Sequence, residues 1–218
     1  MFLGHFAVGF ATRRAAPRTP LAAGFLAAQW ADVVWPIFLL AGLEEVRIDP
    51  GNTPMTPLDF VRYPYSHSLV ALLVWAALFA LAARWRGWGG RAAGVLGVAV
   101  LSHWVLDAVT HRPDVPVLFA GPMVGLGLWQ SVRATVAVEL ALFAGGLAVY
   151  MRTTRARDGI GRYGLTAIVL LLLAAYGGAI FGPPPPSVAA IIWADLAGVA
   201  LFVGLAAWVD RHRELRVL

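Results

Sequence analysis

The sequence predicts an all-α protein: a polytopic membrane helix bundle of about six transmembrane helices, with a short N-terminal half-helix. Three observations carry that prediction. Of 218 residues, 60% are hydrophobic and only 13% charged, whereas a soluble domain is near half apolar and a quarter charged. Mean hydropathy is +0.73. Apolar runs of about 20 residues, the length that crosses a bilayer, alternate with short arginine-bearing links. The length suits one compact bundle, so residues 1–218 read as a single transmembrane domain. Its His/Asp motifs lie in 1–120, and 131–210 is helical and motif-poor.

Taken in order, Met1–Thr12 is apolar except for His5 and is followed by Arg13 and Arg14. A secretory signal has its charge before the apolar run, so this stretch reads as a retained half-helix or re-entrant segment. Pro17 and Pro20 end it. The first span is Leu21–Leu43, with Asp32 inside. Glu44–Ser66 is a polar, proline-rich loop. The second span is His67–Ala83 and the third Arg91–Thr110. His111–Gln130 is a long loop with an apolar middle. Ser131–Met151, containing Glu139, is the fourth span, Tyr163–Phe181 the fifth, and Ser187–Val209, containing Asp195, the last.

The net charge of +5 comes from 17 basic residues, all arginine, gathered in inter-helix clusters. It is a topology signal and does not suggest nucleic acid. Threading six spans puts 13 arginines on one side and 4 on the other. Arginine-rich short loops stay in the cytoplasm, so both termini are expected to be cytoplasmic. Cysteine is absent, so any metal must be held by imidazole and carboxylate.

The chemistry concentrates in Leu101–Asp114, LSHWVLDAVTHRPD. His103, Asp107 and His111 lie four apart, so on a helix they form one stripe, each rotated by only about 40° from the last. A buried His–Asp hydrogen-bonded pair explains the spacing equally well. Ionisable groups in a membrane helix are functional candidates. At about 1.5 Å per residue, Asp32, His67, His103, Asp107 and Glu139 share the outer half of the bilayer, with His5 below them. Such agreement among five segments suggests one divalent-metal site, with zinc the first candidate. The other readings of single residues are a packing or capping His5, an N-cap at His67, an Asp32–Arg pair, and a Glu139 paired with Arg133 or a histidine. Asp195 reads as a helix–helix hydrogen bond. His111 is a second ligand, an acid/base or a bystander, and Asp210 and His212 belong to a charged tail.

The motifs GHF, Asp32 in the first span, YSHS and SHWVLD resemble the YdjM-like family of bacterial inner-membrane metal-dependent hydrolases. The resemblance covers about residues 1–120 and rests on His5, Asp32, His67 with Ser68, and Ser102, His103 with Asp107. There is a more distant similarity to zinc-dependent phospholipases C. Val34 stands where the family has a second Asp and Trp35 where it has the His before Pro36, and Tyr63-Pro64-Tyr65 replaces its His-Arg-Gly. These departures favour one metal, or no metal and a repurposed pocket, over a two-metal site.

The expectation is thus a metal-dependent hydrolase of a lipid-linked ester or phosphodiester. His5, Asp32, His67, His103 and Asp107 are the candidate ligands, and Asp107, Glu139 and His111 the candidate acid–base residues. Arg62, Arg112 and Ser68 are expected to bind substrate. Membrane lipids are the expected partners, with homo-oligomerisation left open. The alternatives are a small transporter with a proton or metal site and a non-catalytic assembly protein.

Overall fold

A computed structural model of the chain describes residues 1–216. Among them are nine α-helices, one 3-10 turn and three two-stranded antiparallel sheets. Four helices are long and apolar enough to cross a membrane. These four are α6 (Gly89–Thr110), α7 (Val132–Thr153), α8 (Gly159–Phe181) and α9 (Val188–Arg211). Leu81, Leu170 and Phe181 are 63%, 61% and 82% exposed. Large apolar side chains facing outward from the most hydrophobic helices are what a lipid-facing surface requires. The chain is a membrane protein.

The N-terminal half-helix is α1 (Leu3–Ala15), and it is the centre of the bundle. Phe6 and Phe10 are buried and meet Phe25 edge to face, with ring centroids 5.1 and 4.9 Å apart. Gly146 of α7 lets α1 approach closely, since a Cβ there would stand 2.3 Å from the Ala7 carbonyl oxygen. Small residues at such crossings let backbones touch.

The expected first span is two helices, α2 (Leu21–Ala28) and α3 (Trp30–Leu40), bent by 54°. The second span is α5 (Leu69–Trp85). His67 lies before it, at the end of the short α4 (Pro64–His67). Ser68, Ser131, Asp158 and Ser187 cap α5, α7, α8 and α9, each accepting a backbone N–H three residues on. Such side chains satisfy the otherwise unpaired first-turn donors. Ser68 is therefore occupied as a cap, which corrects its expected role in binding substrate.

The loop after α3 is not irregular. It forms a hairpin, β1 (Glu45–Ile48) and β2 (Leu58–Arg62), with Val46 opposite Phe60 and Arg47 opposite Asp59. Val46 faces inward beside Trp35, Tyr63 and Ile191, while Glu45 and Arg47 face out. This period-two alternation is that of a half-buried strand. The loop after α6 carries β3 (Val115–Pro116) and β4 (Met123–Val124). Finally β5 (Thr154–Ala156) pairs with β6 (Arg213–Leu215), joining the ends of α7 and α9.

Asp210 corrects another expectation. It is no tail residue. It is buried, accepts the Leu21 N–H at 3.1 Å and the Tyr150 hydroxyl at 2.9 Å, and stands 3.5 Å from Arg13. One carboxylate thus ties α1, α2, α7 and α9 together. Asp210→Ala is expected to destabilise the fold by about 3 kcal/mol, because it strands a buried donor set and an arginine. Tyr150→Phe should cost about 1 kcal/mol. Thermal unfolding in detergent reads both.

Candidate metal centre

Five of the sequence-selected residues meet. His103 and Asp107 lie one turn apart on α6, and His5 comes from the start of α1. Asp32 comes from the first turn of α3, and His67 from the end of α4. His103 Nε2 is 3.1 Å from Asp107 Oδ2 and 3.6 Å from Asp32 Oδ1. His67 Nε2 is 3.4 Å from Asp32 Oδ1 and 3.8 Å from Asp107 Oδ2. Ligands about 2.0 Å from a tetrahedral zinc stand about 3.3 Å from one another, and these four separations, 3.1 to 3.8 Å, lie near that value. His5 stacks on His103 with centroids 3.7 Å apart and planes within 2°. It stands level with that ring, where the sequence placed it lower. The donor atoms of His5, His103 and Asp107 lie within 4.8 Å of one another, as do those of Asp32, His67 and His103.

A second layer of hydrogen bonds decides which nitrogens face inward. Ala28 ends α2, and the last carbonyls of a helix lack intrahelical partners. The Ala28 carbonyl accepts a hydrogen bond from His103 Nδ1 at 2.8 Å. A carbonyl only accepts, so Nδ1 carries a proton and, in the neutral ring, the Nε2 lone pair points at the cluster. Ser66 donates its hydroxyl proton to Glu44 at 2.6 Å, so its oxygen accepts from His67 Nδ1 at 2.7 Å. In the neutral ring the His67 Nε2 lone pair is then turned to the cluster too. Two nitrogen lone pairs and two carboxylates therefore converge, and His103 Nε2 is buried with no hydrogen-bond partner. The donor set fits a divalent cation. Histidines that ligate metals are oriented in this way by outer carbonyls and carboxylates.

Asp107 touches all three histidines of the cluster. Its Oδ1 accepts from the Met1 amino group at 2.6 Å and from His5 Nε2 at 3.1 Å, while Oδ2 faces His103 and His67. Glu139 stands outside the cluster. Its Oε2 accepts the backbone N–H groups of Phe2 and Gly4 at 2.9 and 3.2 Å. A carboxylate there satisfies donors at the positive end of α1, so the structure gives this residue an anchoring task.

The cluster opens into a cavity of about 520 Å³, lined by Asp32, His67 and Asp107 and walled by Trp35, Phe60, Trp129 and Ile191 among others. His111 lines it as well, separate from the ligands. Its Nδ1 donates to Asp114 Oδ1 at 3.0 Å. Burial pushes this imidazole below its ordinary 6.5, with Asp114 opposing, so it is neutral at pH 7.

The arginines expected to bind phosphate are elsewhere. Arg62 is exposed on β2 and outside the cavity lining. Arg112 is held by Asp59, Asn52 and Asp114, fastening the hairpin to the end of α6. Trp35 and Trp129 are cavity walls. Sequence reasoning missed Glu44, Ser66 and Asp114. Only Ser66 carried a signal, its adjacency to His67 in YSHS.

Fold and site together define a polytopic membrane protein with a buried imidazole–carboxylate cluster under an apolar cavity. Comparison with family models, curated proteins and solved structures finds no match to this chain.

The second layer is testable without touching a ligand. Ser66→Ala and Glu44→Gln should each weaken metal affinity by about 10- to 100-fold, measured by competition with a chromophoric chelator. Unchanged affinity would remove the tautomer argument.

Proposed function

We propose that the protein is a bacterial inner-membrane, metal-dependent hydrolase acting on an ester of a membrane lipid. The observation that carries this reading is the convergence of His67 Nε2, His103 Nε2, Asp32 and Asp107, with both imidazole tautomers fixed from behind. Two nitrogen and two carboxylate ligands in a cysteine-free chain suit zinc. The resemblance to the YdjM-like hydrolases supports the same reading.

Six crossings are proposed: the four long helices, the bent α2–α3 pair, and α5. The orientation follows from contacts at one end of the bundle. Arg91 donates to the Ala15 carbonyl, Arg13 stands beside Asp210, and Arg213 donates to the Gly161 carbonyl. The arginine-rich ends therefore lie together, and the positive-inside rule places them in the cytoplasm. The cluster, near the far end of α6, then lies toward the outer leaflet.

When bound, the metal supplies Lewis acidity and lowers the pKa of a water toward about 7. The chain supplies the rest. Asp32 and Asp107 balance the cation's charge. His111, oriented by Asp114, holds a neutral nitrogen ready to take the water's proton. The apolar walls exclude bulk water and seat an acyl chain. An ester is favoured over a phosphodiester because no arginine lines the cavity among the described residues.

The 54° break beside Asp32 also favours a second reading, a transporter, since broken spans hold ions in that class. Zinc or proton flux into liposomes, absent from Asp32→Asn, would establish it.

Protein purified without added metal should carry about one divalent ion per chain, and His103→Ala should abolish it. Metal retained at the wild-type level in that variant rules out His103 as a ligand. Hydrolysis of a nitrophenyl acyl ester should fall only below pH 6.5, because the base works neutral and its pKa is lowered from that value. An acid limb above 6.5, or one unchanged in His111→Gln, excludes His111 as the base.

A further inference from the structure

The same cavity contains polar atoms that the cluster does not use. Asp195 Oδ2, the Tyr176 hydroxyl and Trp35 Nε1 are each shut off from solvent and have no hydrogen-bond partner. All three residues line the cavity, and they come from α9, α8 and α3. Buried polar groups are nearly always paired, so each orphan needs a partner from outside the chain. Trp35 offers a donor, Tyr176 a donor or acceptor, and Asp195 an acceptor.

Charge narrows the choice. Four carboxylates line the cavity, those of Asp32, Asp107, Glu139 and Asp195. The first two face the metal ligands, and Glu139 is held by the start of α1. Asp195 Oδ2 has no partner within the described chain. No arginine lines the cavity among the described residues, so an anionic head group would meet this acidic set without a shield, whereas a hydroxyl or ammonium group would donate to Asp195 Oδ2.

The geometry points to a substrate class: a single-chain acyl ester whose head group is free of negative charge and carries a hydrogen-bond donor, as in a monoacylglycerol. Asp195 accepts from the head group, while Trp35 Nε1–H and the Tyr176 hydroxyl donate to ester oxygens. The acyl chain lies against Ile180, Ile191 and Trp129. A volume near 520 Å³ is in the range of lipid and drug-sized pockets. This inference rests on the cavity being the substrate site of the proposed hydrolase.

The test uses the full chain in nanodiscs, with zinc measured in every preparation. Native mass spectrometry compares monolauroylglycerol with lauroyl lysophosphatidate, which share one acyl chain. Monolauroylglycerol should bind at least about tenfold more tightly, the factor expected from one charge-assisted hydrogen bond. Asp195→Asn should erase most of that preference with zinc content unchanged. Equal or tighter lysophosphatidate binding overturns the inference, as does a preference that survives Asp195→Asn. Should that variant fail to fold, Tyr176→Phe must weaken monolauroylglycerol binding severalfold, and no change there overturns the inference as well. Zinc present without lipid preference sinks this inference alone. Preference without zinc supports it and sinks the hydrolase reading.

Discussion

Four electron-pair donors pointing at one small volume inside a low-dielectric bundle is the constraint on which the rest of the structure turns. Carboxylates and imidazole lone pairs repel one another when brought together dry, and a bare buried charge is costly. A cation makes the arrangement favourable. Everything nearby holds these groups in place. The bend at Gln29 presents the Ala28 carbonyl to His103, and the hairpin loop sends Glu44 to Ser66 and so to His67. Asp107 joins the cluster to α1 through His5.

The central place of α1 follows from the same need. A helix of 13 residues is about 20 Å long and cannot cross a bilayer. It can bring His5 to the middle of one, provided its own ends are satisfied. Glu139 does this at the N-terminal end. Arg13 and Asp210 secure the other, where the arginine-bearing ends gather. Aromatic packing around Phe6 and Phe10 then seals the helix among α2, α7, α8 and α9. Polar groups in such an interior contribute little stability each, which makes binding the better reason for their concentration.

The hairpin and the loop after α6 do different work from the spans. Arg112 fastens one to the other through Asp59 and Asn52, and Phe60 packs on Trp35 and His111. Met55, Thr56, Leu58 and Phe60 of the hairpin thereby line the cavity together with the imidazole–carboxylate cluster.

Residue by residue, the sequence alone determined the membrane class and five members of the cluster. Hydropathy sets the long helices, and a charged residue inside an apolar run is conspicuous because burying it is expensive. His103 and Asp107 were legible as a pair because helical spacing is local. Only tertiary structure decided the rest. Glu44 reaches Ser66 across 22 residues and Asp210 reaches Leu21 across 189, separations at which no periodicity carries information. The same limit explains Arg62, Arg112 and Ser68. Their chemistry suits a phosphate or a head group, but the position of each was decided by loop and cap geometry that exists only after the helices have packed.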